Sequence, residues 1–409
     1  MTRIVERLVR RSIQFLPLTV IFLAGCGSGV SVPTEPAGSS VRDSAGIIIV
    51  ENTDPAWGEG KGWSLSSQPL LTIGMLDGPD EYIFYRANSA IRLEDGRILV
   101  TNAGSQELRY YDAAGQFLHQ VGGDGEGPGE FRSIGPVERF GPDSLAIFDY
   151  RLLRYSVFSR DGAYGRIFQL AETERRTPFP DGIFEDGSIL ASVSLRPRGR
   201  QTPPGLSREE MTFMQMASEG TFQDSLTTLS GNELFRADTE DGVRSLSRPY
   251  GLHYQAVTHG NAWVYGGTDS YEYLEIGQDG ALHRIVRANI PRRAVPQEVV
   301  EETERGYREM PNQRAAELWA SIPWPEQLPA YDQFEIDLDG NLWVMDYSVL
   351  DELTHFQVFD PSGRWLGGLE LPVGGQVTEI GSDYLLGIWT DDLEIQSIRM
   401  YGLNKPTGG

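Results

Sequence analysis

Cysteine is almost missing from this chain: Cys26 is the only one in 409 residues. A single thiol cannot make an internal disulfide, so a folded domain must be held by its core alone. The chain is long enough to build one. Histidine is scarce too, with only His119, His253, His259, His283 and His355. His253 and His259 share a segment, but six extended residues at about 3.3 Å each put them roughly 20 Å apart. The others occupy different positions, which leaves no zinc signature. No Gly-x-Ser-x-Gly nucleophile turn occurs. Positive charge is the minority, 35 Lys and Arg against 58 Asp and Glu, for a net −23. That balance argues against nucleic acid as a partner, since phosphates demand a basic surface. It also argues against lying flat on an anionic bilayer. The apolar run Ile13–Leu23 is too short to cross a bilayer as a helix, which takes about 20 residues.

The N-terminus does have a basic head, with Arg3, Arg7, Arg10 and Arg11 against Glu6, then that short apolar body, then Leu23-Ala24-Gly25-Cys26. The layout reads as a signal peptide over residues 1–25. Its last four residues resemble the lipobox of bacterial lipoproteins. The resemblance implies cleavage before Cys26 and lipidation of its thiol. Residues 26–44, rich in Gly, Ser and Pro, read as a flexible tether. The chain is therefore expected outside the cytoplasm, lipid-anchored to a bacterial membrane. Gly27 stands where an Asp would resemble an inner-membrane retention signal, which favours the outer membrane, on its periplasmic or surface side. Loss of residues 1–25 takes the net charge from −23 to −26.

Glycine is abundant, 47 residues, beside 10% aromatics, a balance that suits short strands joined by tight turns. The turns repeat. Asp95-Gly96, Asp143, Asp186-Gly187, Gly260, Gly340 and Asp383 each separate two short apolar runs, the mark of a hairpin. Two further strands follow most of them, as in Glu107–Asp112 and Gln116–Val121. The shorter intervals, about 43 to 48 residues, fit four-stranded propeller blades. The chain is thus expected to be all-β, a six-bladed β-propeller of four-stranded antiparallel blades over residues 45–409, with a short helical insertion. Two long intervals require insertions, at about 196–210 with 231–249, and at 291–329. Gln297–Trp319 in the last is rich in helix formers, with Gly306 and Pro311 expected to interrupt it. Trp319 and Trp324 are expected to pack on the propeller or to form a lid or docking knob. The sixth unit lacks a fourth strand, and Trp63–Ile73 is expected to supply it and close the ring. Ile47–Val50 reads as a further strand without an assigned place.

The segment Phe117–Phe131, with Gly123, Gly125, Gly127, Pro128, Gly129 and Phe131 after Tyr110–Gly115, resembles the NHL-type six-bladed propeller repeat. Phe158–Gly162 and Phe359–Gly363 are weaker copies. The chain is similar in layout to the six-bladed propeller lipoproteins of environmental bacteria. This resemblance implies a fold more than a function. The glycine-rich run lacks the Lys-Ser or Lys-Thr of a phosphate loop, and Asp124 and Glu126 would repel phosphate. It reads as a connection between blades.

In such a propeller the ends of the second strands gather on the face that usually carries the site. Here they are Asn102, Asp149 with Tyr150 and Arg151, Asp269, Asp346 with Tyr347, and Asp391 with Asp392. Two readings compete: turn-capping aspartates, or a ring of carboxylates and tyrosines that binds a polar or cationic ligand. The expected function is a lipid-anchored binding or scaffolding module, for a protein or a small polar molecule. The alternative is a metal-assisted, lactonase-like hydrolase or lyase on the same fold. No catalytic residue is assigned. No cofactor is expected, although calcium would suit an oxygen-only ligand set.

Overall fold

The structure is a computed structural model that describes residues 38–173, 176–195, 203–239, 242–350, 353–372 and 374–406. The expected signal peptide, Cys26 and the first part of the expected tether lie outside those residues. The tether does not reach residue 44. Ser39–Ser44 is strand β1, paired antiparallel with β2, Ile47–Asn52. Ile47–Val50 thereby gains its place: β2 lies parallel to the last strand of the fourth sheet and extends that sheet outward.

Two short strands, β3 (Ser64–Leu65) and β4 (Leu71–Ile73), precede the repeats. The first sheet is β5 (Ala87–Arg92), β6 (Ile98–Asn102), β7 (Glu107–Tyr111) and β8 (Phe117–Gly122). The second is β9 (Ile134–Phe140), β10 (Ser144–Asp149), β11 (Arg154–Ser159) and β12 (Tyr164–Phe168). The third is β13 (Phe179–Ile183), β14 (Ile189–Ser194), β15 (Gly205–Met216), β16 (Phe222–Thr239) and β17 (Gly242–Ser247). The fourth is β18 (Gln255–His259), β19 (Ala262–Gly266), β20 (Glu272–Gly277) and β21 (Leu282–Ala288), widened by β2 and β1. The fifth is β22 (Tyr331–Ile336), β23 (Leu342–Asp346), β24 (Leu353–Phe359) and β25 (Trp365–Pro372). The sixth is β26 (Gly375–Ile380), β27 (Tyr384–Thr390) and β28 (Gln396–Asn404), and both β3 and β4 pair with β28. The N-terminal segment thus completes the last sheet, as its sequence implies.

The first strands touch in cyclic order, β5 on β9, β9 on β13, β13 on β18, β18 on β22, β22 on β26 and β26 on β5. The core is distributed to match. One apolar cluster fills each junction between successive sheets, and the cluster of Ile98, Val100, Leu386 and Ile398 joins the sixth sheet to the first. Strands need apolar residues on both faces to fill two junctions, and β10, SLAIFD, is buried from Leu145 to Asp149. Trp263 and Trp343 are fully buried, each contributing about 2–3 kcal/mol of apolar transfer. Five of the six first strands carry a bulge against their second strand, only β18 running regular among them. Each bulge sharpens the local twist and re-aims a side chain.

Much of the insertion expected at 196–210 and 231–249 is strand. β15 and β16 run past the end of β14, and β17 pairs with the overhang of β16. The 291–329 insertion holds two helices, α1 (Gln297–Arg308) and α2 (Gln313–Ala320). Pro311 falls between them, and the Asn312 side chain caps α2 by accepting from Ala315 N–H. Gly306 does not interrupt α1, contrary to its sequence-based expectation, and nothing lies within 4 Å of where its Cβ would be. Gly306→Ala should therefore raise stability by about 0.5–1 kcal/mol, measured by urea unfolding. A loss of stability would mean that the position is more crowded than the backbone indicates.

Candidate functional site

Strand alternation places the turns between second and third strands, and the connections leading into each first strand, at one end of the ring. The sequence-predicted residues do sit at this end, but mostly as turn supports. Asp149 is fully buried. Its Oδ2 accepts from the backbone of Arg132 at 2.7 Å and Ser133 at 3.4 Å, and its Oδ1 from Arg151 at 2.9 Å and Leu152 at 2.8 Å. Four backbone donors use the carboxylate completely. Asn102 does similar work in the first sheet, accepting from Tyr85 N–H at 3.0 Å. Asp269 is exposed, and its nearest ion-pair partner, Arg208, is 3.9 Å away. The supporting role in that sheet belongs to its neighbour Thr268, whose hydroxyl exchanges hydrogen bonds with the backbone of His253. Asp346 accepts from the Tyr271 hydroxyl and from Gln357 at 3.0 Å. Asp391 is exposed and accepts from Leu393 and Ile395 N–H, both at 2.9 Å, and Asp392 beside it is exposed too. Arg151 points into solvent. Tyr347 is half-buried, with its phenol pushed up to about 12 by desolvation and its ring 6.1 Å from that of His253. Asp149 and Asp391 thus spend their carboxylates on their own turns. Among the described residues no group of three or more His, Cys, Asp or Glu is placed to hold a metal ion.

Tyr150 is the candidate that belongs to a larger constellation. It is 49% exposed at the turn after β10, and Phe179, 48% exposed, opens β13 beside it. Both rings stand edge-on to Phe148, at 5.5 and 6.2 Å. Gly135 on β9 makes room, because a Cβ there would sit 3.0 Å from the Tyr150 ring. Beneath lies Tyr155, fully buried, 5.1 Å from Phe148, with no hydrogen-bond partner for its hydroxyl.

Two acids border these rings on the inner strands. Glu138 on β9 pairs with Ala146, and so faces the junction of the second and third sheets where Ala146, Phe148 and Tyr155 pack. Desolvation raises its carboxyl to about 7. Asp181 is the extra residue of the β13 bulge, between Pro180 and Gly182. The bulge turns its Oδ1 to the Tyr254 hydroxyl, which donates at 3.0 Å, while Oδ2 is buried without a partner. Its carboxyl too is raised to about 7 by desolvation, against the hydrogen bonds of Ser192 and Tyr254. The Tyr155 hydroxyl lies in the field of Glu138, Tyr150 and Asp181, and its pKa is raised well above the ordinary value, mainly by burial. A third inner-strand acid, Glu335 on β22, is raised to about 7 by the same cause and accepts from Gln333.

The same end of the ring carries both insertions. Tyr250 stacks on Trp324 at 5.9 Å and its hydroxyl meets Thr303 of α1 at 3.1 Å. Arg248 donates to Pro323 O at 2.8 Å and pairs with Glu233 at 3.0 Å. Trp319 stacks on Tyr307 at 5.9 Å. Trp324 thus packs on Tyr250, whereas Trp319 packs on the insertion's own helix α1. Between β16–β17 and α2 runs an open groove of about 720 Å³ lined by Arg244, Leu246, Leu318 and Trp319 among others.

A family model, DUF5128, described as a 6-bladed beta-propeller, matches residues 76–159. The fold is a β-propeller. A member of the duf4221 family from Bacteroides vulgatus is 11% identical, with a TM-score of 0.50 over 85% of this chain and 99% of that one. Regucalcin from Agrobacterium tumefaciens, a calcium-binding protein, is 11% identical over 79% of this chain and 92% of its own, with a TM-score of 0.36. Virginiamycin B lyase from Staphylococcus aureus is 9% identical over 84% and 99%, with a TM-score of 0.40. Likeness at such identity concerns the fold alone, and here it rests on the first of the three. No curated protein matches the chain by sequence.

Glu138, Asp181 and Phe179 escaped the sequence reading. Each sits on a first strand, where a polar residue among apolar ones looks like ordinary alternation toward water. The Pro180-Asp181-Gly182 triplet was the available signal, since Pro and Gly inside a strand mark an edge or a bulge.

Proposed function

We propose that the protein is an exported lipoprotein, anchored through Cys26 to the outer membrane. Its six-bladed propeller, whose Gly123–Phe131 connection resembles the NHL repeat, presents the face holding Tyr150 to a polar or cationic ligand or to a protein partner. The observation that supports the binding reading is the exposed aromatic pair Tyr150 and Phe179 above two acids, Glu138 and Asp181, that lack counter-charges. A structural core gains little from such acids, because a desolvated carboxylate without a counter-charge costs free energy, even where Tyr254 donates to one oxygen of Asp181. A binding site gains more, because the ligand supplies the missing partner.

Anchoring is tested by Cys26→Ser, which should abolish labelling by a radioactive fatty acid and move the protein from the membrane to the soluble fraction. An unchanged label would sink that part of the reading. The binding face is tested by photo-cross-linking in cells from position 150 or 179, compared with position 118 on the outer strand β8. An adduct confined to the first two positions is expected. Equal adducts at all three would count against this face.

A further inference from the structure

We propose that this face takes an organic cation, an alkylammonium group seated against the Tyr150 and Phe179 rings with its charge directed to Glu138 and Asp181. The inference rests on the binding reading above and names the chemistry of its ligand.

The donors and acceptors at the site select this class. The Tyr155 hydroxyl and Asp181 Oδ2 are buried polar atoms without partners, and the hydroxyl lies in the field of both Glu138 and Asp181. Glu138 itself makes no hydrogen bond or ion pair among the described residues. Two acids and a phenol with unused acceptor capacity call for something that donates hydrogen bonds or carries positive charge. Ordered water alone would satisfy hydrogen bonding but not charge. Calcium takes six to eight oxygens at about 2.3–2.6 Å, whereas the exposed groups here are the Tyr150 and Phe179 rings. Tyr150 and Phe179 are both edge-on to the buried Phe148 at 5.5 and 6.2 Å, with Tyr155 beneath it at 5.1 Å. Ring faces attract a large, weakly hydrated cation, as aromatic cages do for substituted ammonium groups. The net charge of −23 draws cations to the protein at long range. Ionised acids hold the cation better than protonated ones. Binding near pH 7 therefore drives protons off Glu138 and Asp181 into solution.

The test is calorimetric titration of the full mature chain with tetramethylammonium, with n-butylammonium, with its neutral isostere 1-butanol, and with calcium chloride. At least one ammonium ion should bind tenfold or more tighter than the alcohol. At pH 7 its heat should vary with the ionisation enthalpy of the buffer, as proton release requires. Glu138→Gln and Asp181→Asn should each weaken binding tenfold or more and reduce the proton release. Phe179→Ala, a change at an exposed ring that leaves the fold intact, should weaken it without changing the proton count. Binding of the alcohol as tightly as the cations would overturn the proposal, as would full affinity in the two acid variants. Calcium binding without ammonium binding would overturn the ligand class. Absence of any cation binding would overturn it as well, while cross-linking from positions 150 and 179 would still decide the broader reading.

Discussion

Asp337→Ala is expected to cost about 3–5 kcal/mol of stability, a large share of what a domain of this kind possesses. Asp337 ends the strand run of the fifth sheet and is 1% exposed. Its Oδ1 accepts from Asp339 N–H at 3.0 Å, Asn341 N–H at 2.8 Å and Asn341 Nδ2 at 3.1 Å. Its Oδ2 accepts from Asn341 Nδ2 at 2.8 Å and Trp343 Nε1 at 3.1 Å. Lys405 lies 3.7 Å away and extends the network to the C-terminal segment. Removing the carboxylate strands the donors of Asn341 and Trp343, which are buried beyond the reach of water. Each stranded donor costs about 1–3 kcal/mol. Asp391→Ala is the control. Asp391 supports its turn through two backbone bonds of the same kind, but it is exposed, so water replaces it and the loss should stay near 1 kcal/mol. Urea unfolding of both variants separates the cases. A loss below about 1 kcal/mol for Asp337→Ala would show that the network relaxes onto other acceptors.

The same comparison explains what the sequence could and could not disclose. Asp-Gly and Asn turns at Asp95, Asp186 and Gly340 announce themselves because few residues tolerate their backbone geometry, and the spacing of those turns carries the architecture. The closing strand at Leu71–Ile73 was legible by elimination, since a sheet one strand short exposes an edge. The overhang of β15 and β16 was not. Its residues are mostly polar and partly exposed, with only Gly231, Leu234 and Arg236 buried, so no run of apolar residues signals a strand. Only the partner strand shows it. At the candidate site, Asp at a second-strand end was visible, but not whether its oxygens face backbone or ligand. For Asp149 they face backbone. Asp181, which keeps one oxygen buried without a partner, owes its direction to a bulge, and a bulge is a property of two paired strands rather than one.

Stability should fall as pH rises from about 4 to about 7, and Glu138, Asp181 and Glu335 should be the cause. Each has its carboxyl raised to about 7 by burial. A raised acid binds its proton more tightly in the folded chain than in the unfolded one. Its stabilising share is therefore complete below the ordinary carboxyl range and is lost as pH climbs through about 7. All three residues are partly exposed, so each contributes on the order of 2 kcal/mol across that window. Acids lowered by arginine partners, Glu94 and Asp95, oppose the trend. Both are exposed, and solvent screening keeps their effect small. Self-repulsion in a chain of net charge −23 acts in the same direction as the buried acids. The melting temperature should accordingly decline from about pH 4 through about pH 7. Glu138→Gln with Asp181→Asn and Glu335→Gln should flatten the decline and raise the melting temperature at pH 8. A wild-type melting temperature that climbs from pH 5 to 8 would contradict this, and so would a triple variant with an unchanged slope. A cation that seats at the acids must reverse the trend, because it stabilises the ionised forms that burial penalises. Melting at pH 8 in the presence of an alkylammonium ion thus links the protein's pH profile to the occupancy of its face. The wild type should gain there, and the triple variant should not.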